Sequence, residues 1–266
     1  MRNKYLYAGL GRGEEHWQDK IASPLIYSGN VNLSLLGYEK RDNHLQARIE
    51  FTRASGKLFN SRTEKTESNA ALLSAFRFSF NTHYKIKSWY NERLSWWPGY
   101  TTSASANLRI NPRLQNAALG YDIFLNFGYS NRFEYVHTWK AREFKWFISR
   151  IQRQKRTLRY AWQTDLPLFT FISRQNYAGV SNFASGNVLD AMLSQLAGNM
   201  KSSFIGQTTL VRSTLEVHYP LRNNNLIRLG YVWQAYAHTA PFRESRSALS
   251  CLQISFLYKL DKNNPY

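Results

Sequence analysis

Six basic side chains recur in the middle of stretches that alternate apolar and polar residues: Arg48, Arg77, Arg159, Arg212, Arg228 and Lys259. A guanidinium presents a planar fork of N–H donors that fits a carboxylate or phosphate in bidentate fashion, so arginines gathered on one face make an anion-binding surface. Two carboxylates complicate that chemistry. Glu50 and Glu216 lie two positions from Arg48 and Arg212, on the same face of any extended segment. The same residues therefore support two readings: a lining that selects anions, or a face whose charges pair among themselves.

Other chemistries find less in the sequence. A hydrolytic site needs a histidine with a serine or aspartate at matched depth. Of the six histidines, His137 and His238 are expected toward the rim that carries the longer loops, but no G-x-S-x-G or H-E-x-x-H arrangement accompanies them. "GLGRG", Gly9 to Gly13, lacks the lysine and helix of a phosphate loop and reads as a glycine-rich strand end. No catalytic residue, cofactor or metal site is assigned, and the balance leans away from an enzyme. The net charge of +18, from 35 Lys and Arg against 17 Asp and Glu, attracts polyanions such as nucleic acid, acidic glycans or lipopolysaccharide phosphates. "RIQRQKRTLR" (Arg150 to Arg159), with Trp146 and Trp162 nearby, has the charge and stacking ingredients of a nucleic-acid surface. Such a charge run reads first as a solvated face; in a membrane protein the same stretch more naturally meets lipopolysaccharide phosphates or a partner protein than nucleic acid.

The elements that must position these side chains are strands. "LQARIEFTR" sets Leu45, Ala47, Ile49 and Phe51 against Gln46, Arg48, Glu50 and Thr52. "SAFRFSFN" opposes Phe76, Phe78 and Phe80 to Arg77, Ser79 and Asn81, and "NVNLSLLGY" opposes Val31, Leu33 and Leu35 to Asn30, Asn32 and Ser34. "LGYDIFLNFGYSN", "TLVRSTLEVHYP", "LIRLGYVWQAYAH" and the near-terminal "SALSCLQISFLYKL" repeat the pattern. In the last, Leu252, Ile254, Phe256, Tyr258 and Leu260 oppose Cys251, Gln253, Ser255 and Lys259, with Leu257 the apolar exception.

Tight turns are expected at "RDNH" (Arg41 to His44), "NPRLQN", "DLPLF" (Asp165 to Phe169) and "RNNN" (Arg222 to Asn225). Longer connections are expected at Gly56 to Asn69 and Asn176 to Ser203, with shorter ones near Glu14 to Ser23 and Thr239 to Ser245. "NVLDAMLSQLAGNM", Asn187 to Met200, has helical spacing and reads as a short helix in a long loop. "FKWFISRIQRQKRTLRYAWQ", Phe144 to Gln163, reads as one long strand or as two.

Which solvent meets the apolar faces follows from their opposites. A small soluble barrel packs an apolar interior, but here the opposite faces carry arginines in mid-strand. Tyrosines at strand ends, Tyr121, Tyr129, Tyr219 and Tyr258, match the aromatic girdles of membrane barrels. No run of about 20 apolar residues exists for a membrane helix, whereas alternating membrane strands keep the mean hydropathy low. The alternative is a soluble β protein with a second covering layer, for which only one helix is available. Hydrophobic residues make up 43% of the 266, with 17 Tyr, 16 Phe and 8 Trp, and the single Cys251 excludes an intrachain disulfide.

Strand rhythm, turn asymmetry, aromatic flanks and the last strand "LQISFLYKL" resemble the bacterial outer-membrane β-barrels, and "LPLF" with the Tyr- and Arg-rich loops is similar to barrels of the Bacteroidota. The expectation is an all-β, antiparallel up-and-down transmembrane barrel over residues 1–266 as one domain. It has about 12 strands, or 14, with a short loop helix, and both chain ends on one side. With no leader segment visible, a mature form, an engineered form and a piece of a longer chain stay open. The resemblance implies the outer membrane of a Gram-negative cell. The function expected is porin-like passage or binding of small anionic solutes through a basic lumen. The alternative is a non-conducting subunit or anchor of an outer-membrane protein complex, with an outer-membrane lipid-modifying enzyme third. Partners would be outer-membrane lipids, lipopolysaccharide and other outer-membrane proteins.

Overall fold

A computed structural model describes residues 3–20, 23–60, 70–112, 114, 119–139, 142–146, 149–153, 156–174, 200–239 and 244–260. The described residues form β-strands joined by turns: β1 (Asn3–Asp19), β2 (Ser23–Arg41), β3 (Leu45–Asn60), β4 (Ala71–Tyr84), β5 (Lys87–Trp89), β6 (Leu94–Ile110), β7 (Leu119–Trp139), β8 (Arg142–Trp146), β9 (Ser149–Arg153), β10 (Arg156–Arg174), β11 (Met200–Phe204), β12 (Thr208–Pro220), β13 (Leu226–His238) and β14 (Ser245–Lys259). Every pairing is antiparallel.

Ten of the strands close a barrel in the order β1, β2, β3, β4, β6, β7, β10, β12, β13, β14, with β14 returning to β1. The closure is staggered. From Arg12 the ladder passes through Leu252, Tyr231, Leu215, Trp162 and Phe133 to Trp96. In the other direction it passes through Asn32, Ser55 and Ser74 to Leu108, twelve residues from Trp96 on the same strand. Stagger and strand number together set the tilt and width of a barrel, and ten strands lie near the small end, where side chains fill the interior.

The remaining short strands extend this wall. β5 continues β4 along β6, and β11 continues β12 along β10, each across a break in register. β8 and β9 prolong the hairpin of β7 and β10: Trp139 faces Arg156, and Arg142 faces Arg153 in the same register.

The strand number corrects the expectation of 12 or 14. "DLPLF" is not a turn. β10 runs straight through it, and the register shifts between Pro167 and Phe169. Proline has no N–H to give a ladder, and a bulge absorbs that loss without ending the strand. The segment from Phe144 to Gln163 is split between β8, β9 and the start of β10, so it adds a ribbon rather than further wall strands. The connection expected at Glu14 to Ser23 is also much shorter, because β1 continues to Asp19 and β2 begins at Ser23. The helix expected at Asn187 to Met200 lies outside the described residues, except Met200, which begins β11.

Both ends of the barrel chain, Tyr5 and Lys259, are ladder neighbours on one rim, called here the terminal rim. Tight turns after Arg41 and at Leu221 to Asn225 lie on it. The β8–β9 ribbon lies there too, while the short β1–β2 connection is on the far rim. The division into one tight and one elaborated rim is therefore partial.

Alternation around this wall separates two solvents. Exposed outward side chains include Leu6 and Leu10 on β1, Phe76 and Phe78 on β4, Phe127 on β7, Trp162 on β10, Leu229 on β13, and Leu252, Ile254, Phe256 and Tyr258 on β14. Such a continuous apolar exterior is far larger than the patches of water-soluble proteins. It is uneven. On β6 and β7 apolar residues occupy nearly the full strand, but on β1, β2 and β3 the outward face changes to Arg12, Asn32 and Arg53.

β2 corrects the sidedness read from its alternation. Val31, Leu33 and Leu35 are buried and point inward, whereas Asn30, Asn32 and Ser34 face out. Val31 and Leu33 join Trp17, Tyr27, Ala54, Leu58, Ala71, Leu73 and Cys251 in an apolar cluster inside the far half of the barrel, while Leu35 packs with Tyr5, Tyr7 and Leu257 toward the terminal half.

Candidate functional site

All six predicted basic residues lie on the inner face of the wall. The lumen they enter carries both signs of charge. Its terminal half holds Arg41, Arg48, Arg132, Arg159, Arg212 and Arg228 around Glu39, Glu50, Glu134 and Glu216.

Glu216 of β12 is the hub. Arg48 of β3 donates to both of its oxygens, Nη1 to Oε1 at 2.7 Å and Nη2 to Oε2 at 3.0 Å. Arg132 of β7 approaches the same carboxylate at 3.0 Å, Arg228 of β13 at 3.6 Å, and His218 Nε2 at 3.2 Å. Glu39 of β2 accepts from Arg48 at 3.0 Å and from Gln46 at 3.2 Å. Glu134 accepts from Arg132 Nε at 2.8 Å and from Arg41. Strands from opposite sides of the barrel are thus tied across its axis.

Glu50 accepts a hydrogen bond from Tyr7 Oη at 3.0 Å and lies 3.6 Å from Arg212. Tyr7 reaches it from β1 by crossing over Gly37 of β2, where a Cβ would collide with the phenol ring. The Arg228 guanidinium stacks over the Tyr7 ring at 4.2 Å. Arg228 and Arg132 are fully buried, and Glu216 and Glu39 almost so. Buried charges of this kind persist only when paired and hydrogen-bonded.

The far half holds a second, smaller cluster. Arg109 pairs with Asp122 and with Asp19 at 3.2 Å, and Arg174 contacts Asp19 and Asp122 at 2.7 Å each. Tyr236 donates to Asp122 at 3.2 Å, and Arg109 lies 4.0 Å over the Trp17 ring. Between the clusters, Arg77 and Arg212 both donate to Gln234 Oε1 at 3.2 Å. A cavity of about 50 Å³ remains there.

The predicted residues therefore divide. Arg48, Arg212 and Arg228 join the terminal network. Arg77 stands beside Arg212 with an amide as shared acceptor. Arg159 lies 4.0 Å from Glu134 near the mouth, and Lys259 is at the rim. The pairing expected within each strand, Glu50 with Arg48 and Glu216 with Arg212, is exchanged: Arg48 takes Glu216 and Arg212 takes Glu50. Residues missed were Arg41, Arg109, Arg132 and Arg174 with Glu39, Glu134, Asp19 and Asp122. Arg132 and Glu134 share the parity of Asp122 and Asn126 on β7, and extending that alternation by four residues finds them. Arg41 ends β2 and does not belong to the turn.

The histidines expected at one rim are at opposite ends. His238 ends β13 at the far rim and bonds Thr208, while His137 packs beside Trp139 near the terminal rim. Among the described residues no group of histidine, cysteine and carboxylates has the arrangement of a metal site.

No protein-family model and no curated protein matches the chain. Among solved structures, the chain is similar to the translocator domain of the autotransporter NalP from Neisseria meningitidis. There the TM-score is 0.40 and the identity 6%, over 96% of this chain and 88% of that one. It is also similar to the beta domain of the Bordetella autotransporter BrkA, at a TM-score of 0.34 and 8% identity over 96% and 99%. A third is a mutant of the TodX monoaromatic hydrocarbon channel, at a TM-score of 0.35 and 8% identity over 96% and 90%. Likeness at this level assigns no function; that has to come from the chain's own wall and lumen, which have the architecture of an outer-membrane β-barrel.

Proposed function

We propose that the chain is a barrel of a bacterial outer membrane whose lumen is closed, so that it serves as a non-conducting anchor or subunit presenting its two rims. The apolar exterior supports membrane insertion, since every backbone group of a closed barrel is paired and no sheet edge meets lipid. The observation that carries closure is the network centred on Glu216, where Arg48, Arg132 and Arg228 from three strands converge on one buried carboxylate. Outer-membrane lipids and lipopolysaccharide are the surrounding partners in this reading, and other envelope proteins would bind at the rims.

The second reading, passage of small anions, is favoured by one fact: the terminal network holds six arginines against four glutamates. Planar-bilayer recording separates the two. A closed barrel gives no resolved steps from folded, heat-modifiable protein, and a Glu216→Ala, Arg48→Ala double variant gives steps. Anion-preferring steps from the unaltered protein would establish the porin-like reading instead.

A further inference from the structure

The terminal mouth opens into a vestibule of about 540 Å³. Arg41, Arg156, Arg159, His218, Arg222 and Lys259 line it, and its described lining contains no carboxylate. Glu134 and Glu216 lie beneath, already held by Arg41, Arg132 and Arg48. Among the described residues Arg156, Arg222 and Lys259 form no salt bridge; Arg156 rests over the Tyr219 ring at 5.2 Å. The cations come from separate elements: Arg156 and Arg159 from β10, Arg222 from the β12–β13 turn and Lys259 from the end of β14. Their convergence is a product of barrel closure, not of one basic run in the sequence.

Three buried nitrogens of this lining have no hydrogen-bond partner: Arg41 Nη1, Arg159 Nε and His218 Nδ1. Leaving such groups unmade is costly; none of the three meets solvent, so a ligand reaches them only as their side chains turn toward the vestibule. The two guanidinium N–H groups donate to anionic oxygens. With Nε2–H given to Glu216, His218 Nδ1 is an acceptor. A protonated phosphate oxygen satisfies that acceptor, and an ionised carboxylate does not.

We propose that this vestibule is a binding site for a phosphate-bearing anion, either a phosphorylated solute or a phospholipid headgroup reaching the rim. The proposal goes beyond the closed-lumen reading and does not depend on it: calorimetry reads binding and conductance reads closure, so either can fail alone.

The test uses the full chain folded in nanodiscs of phosphatidylcholine, titrated by calorimetry with inorganic phosphate or acetate at matched ionic strength. Saturable phosphate binding at one site, with acetate at least ten-fold weaker, is expected. An Arg222→Gln, Lys259→Gln variant should lose at least ten-fold in phosphate affinity, while Arg246→Gln at the far rim retains it. Discs containing phosphatidic acid distinguish the source: a headgroup site is competed out, and a solute site keeps its affinity. Absence of saturable binding to folded protein, equal binding of acetate, or equal losses in both variants would overturn the proposal. If the double variant does not fold, the phosphate-to-acetate ratio of the unaltered chain still decides.

Discussion

Arg48 and Glu216, 168 residues apart in the chain, meet across the lumen through two parallel hydrogen bonds of 2.7 and 3.0 Å. Strands β3 and β12 are not ladder neighbours, so this bond is a strut through the barrel rather than part of its wall. Glu216→Ala removes the carboxylate from three arginines at once and leaves their charges buried. Breaking a buried pair in this way costs about 3–5 kcal/mol. A urea titration followed by tryptophan fluorescence should show a lower midpoint by that equivalent. Arg48→Glu with Glu216→Arg should recover part of the loss, because the pair is regenerated while its neighbours are not.

The wall is tested by placing the same charge on two outward positions. Leu229 of β13 is exposed among Ile227, Tyr231 and Trp233 on the apolar exterior. Leu229→Arg is expected to cost about 2–4 kcal/mol in a bilayer, the range for a basic residue at mid-depth. Asn32→Arg, on the polar part of β2 beside Arg12, should cost less than 1 kcal/mol on the same scale. Equal costs, read from unfolding midpoints in lipid vesicles, would mean that the exterior has no sided belt.

Much of this wall was legible because period two is enforced by geometry. On β3, β4, β12, β13 and β14 the alternation placed Arg48, Arg77, Arg212, Arg228 and Lys259 inward without reference to any partner. β2 misled because alternation fixes which residues share a face but not which solvent that face meets. Val31, Leu33 and Leu35 look like a lipid stripe, yet all three point into the lumen, the first two beside Trp17 and Leu73 in its far half and Leu35 beside Tyr7 and Leu257. Pro167 misled for a related reason: a missing N–H signals turn and bulge alike. The ion pairs were beyond local reading. Arg48 has Glu50 two residues away and instead takes Glu216 from across the barrel, and only closure with its stagger brings those strands opposite.

Tyr7 offers a cleaner measure of one lumen bond. Its hydroxyl donates to Glu50 at 3.0 Å, and its ring lies under Arg228. Tyr7→Phe keeps the ring and removes the donor, at a cost of about 1.5–3 kcal/mol for a hydrogen bond to a charged group. Gly37→Val should cost at least as much, because the ring can no longer cross β2, although no polar atom is lost. In a Tyr7→Phe background the Gly37→Val effect persists, since it is steric; a vanishing effect would place the role of Gly37 elsewhere.

Arg77 gives the opposite sign. Its Nη1 shares Gln234 Oε1 with Arg212, so two cations lean on one amide oxygen, and its Nε is buried without a partner. Arg212 has Glu50 at 3.6 Å, whereas among the described residues Arg77 forms no salt bridge. Removing Arg77 therefore relieves both repulsion and the penalty of burying a poorly compensated charge. Its neighbours Phe124, Ala75 and Leu210 line the same small cavity and can pack a shorter thioether chain of similar volume. Arg77→Met is expected to leave stability unchanged or to raise it by about 1 kcal/mol, the direction found when buried ionic groups are replaced by apolar ones of similar volume. On the closed-lumen reading the variant should conduct no more than the unaltered protein, because the methionine still occupies the lumen. A loss of more than about 1 kcal/mol in the urea midpoint would show that Arg77 holds the lumen together as Arg48 does.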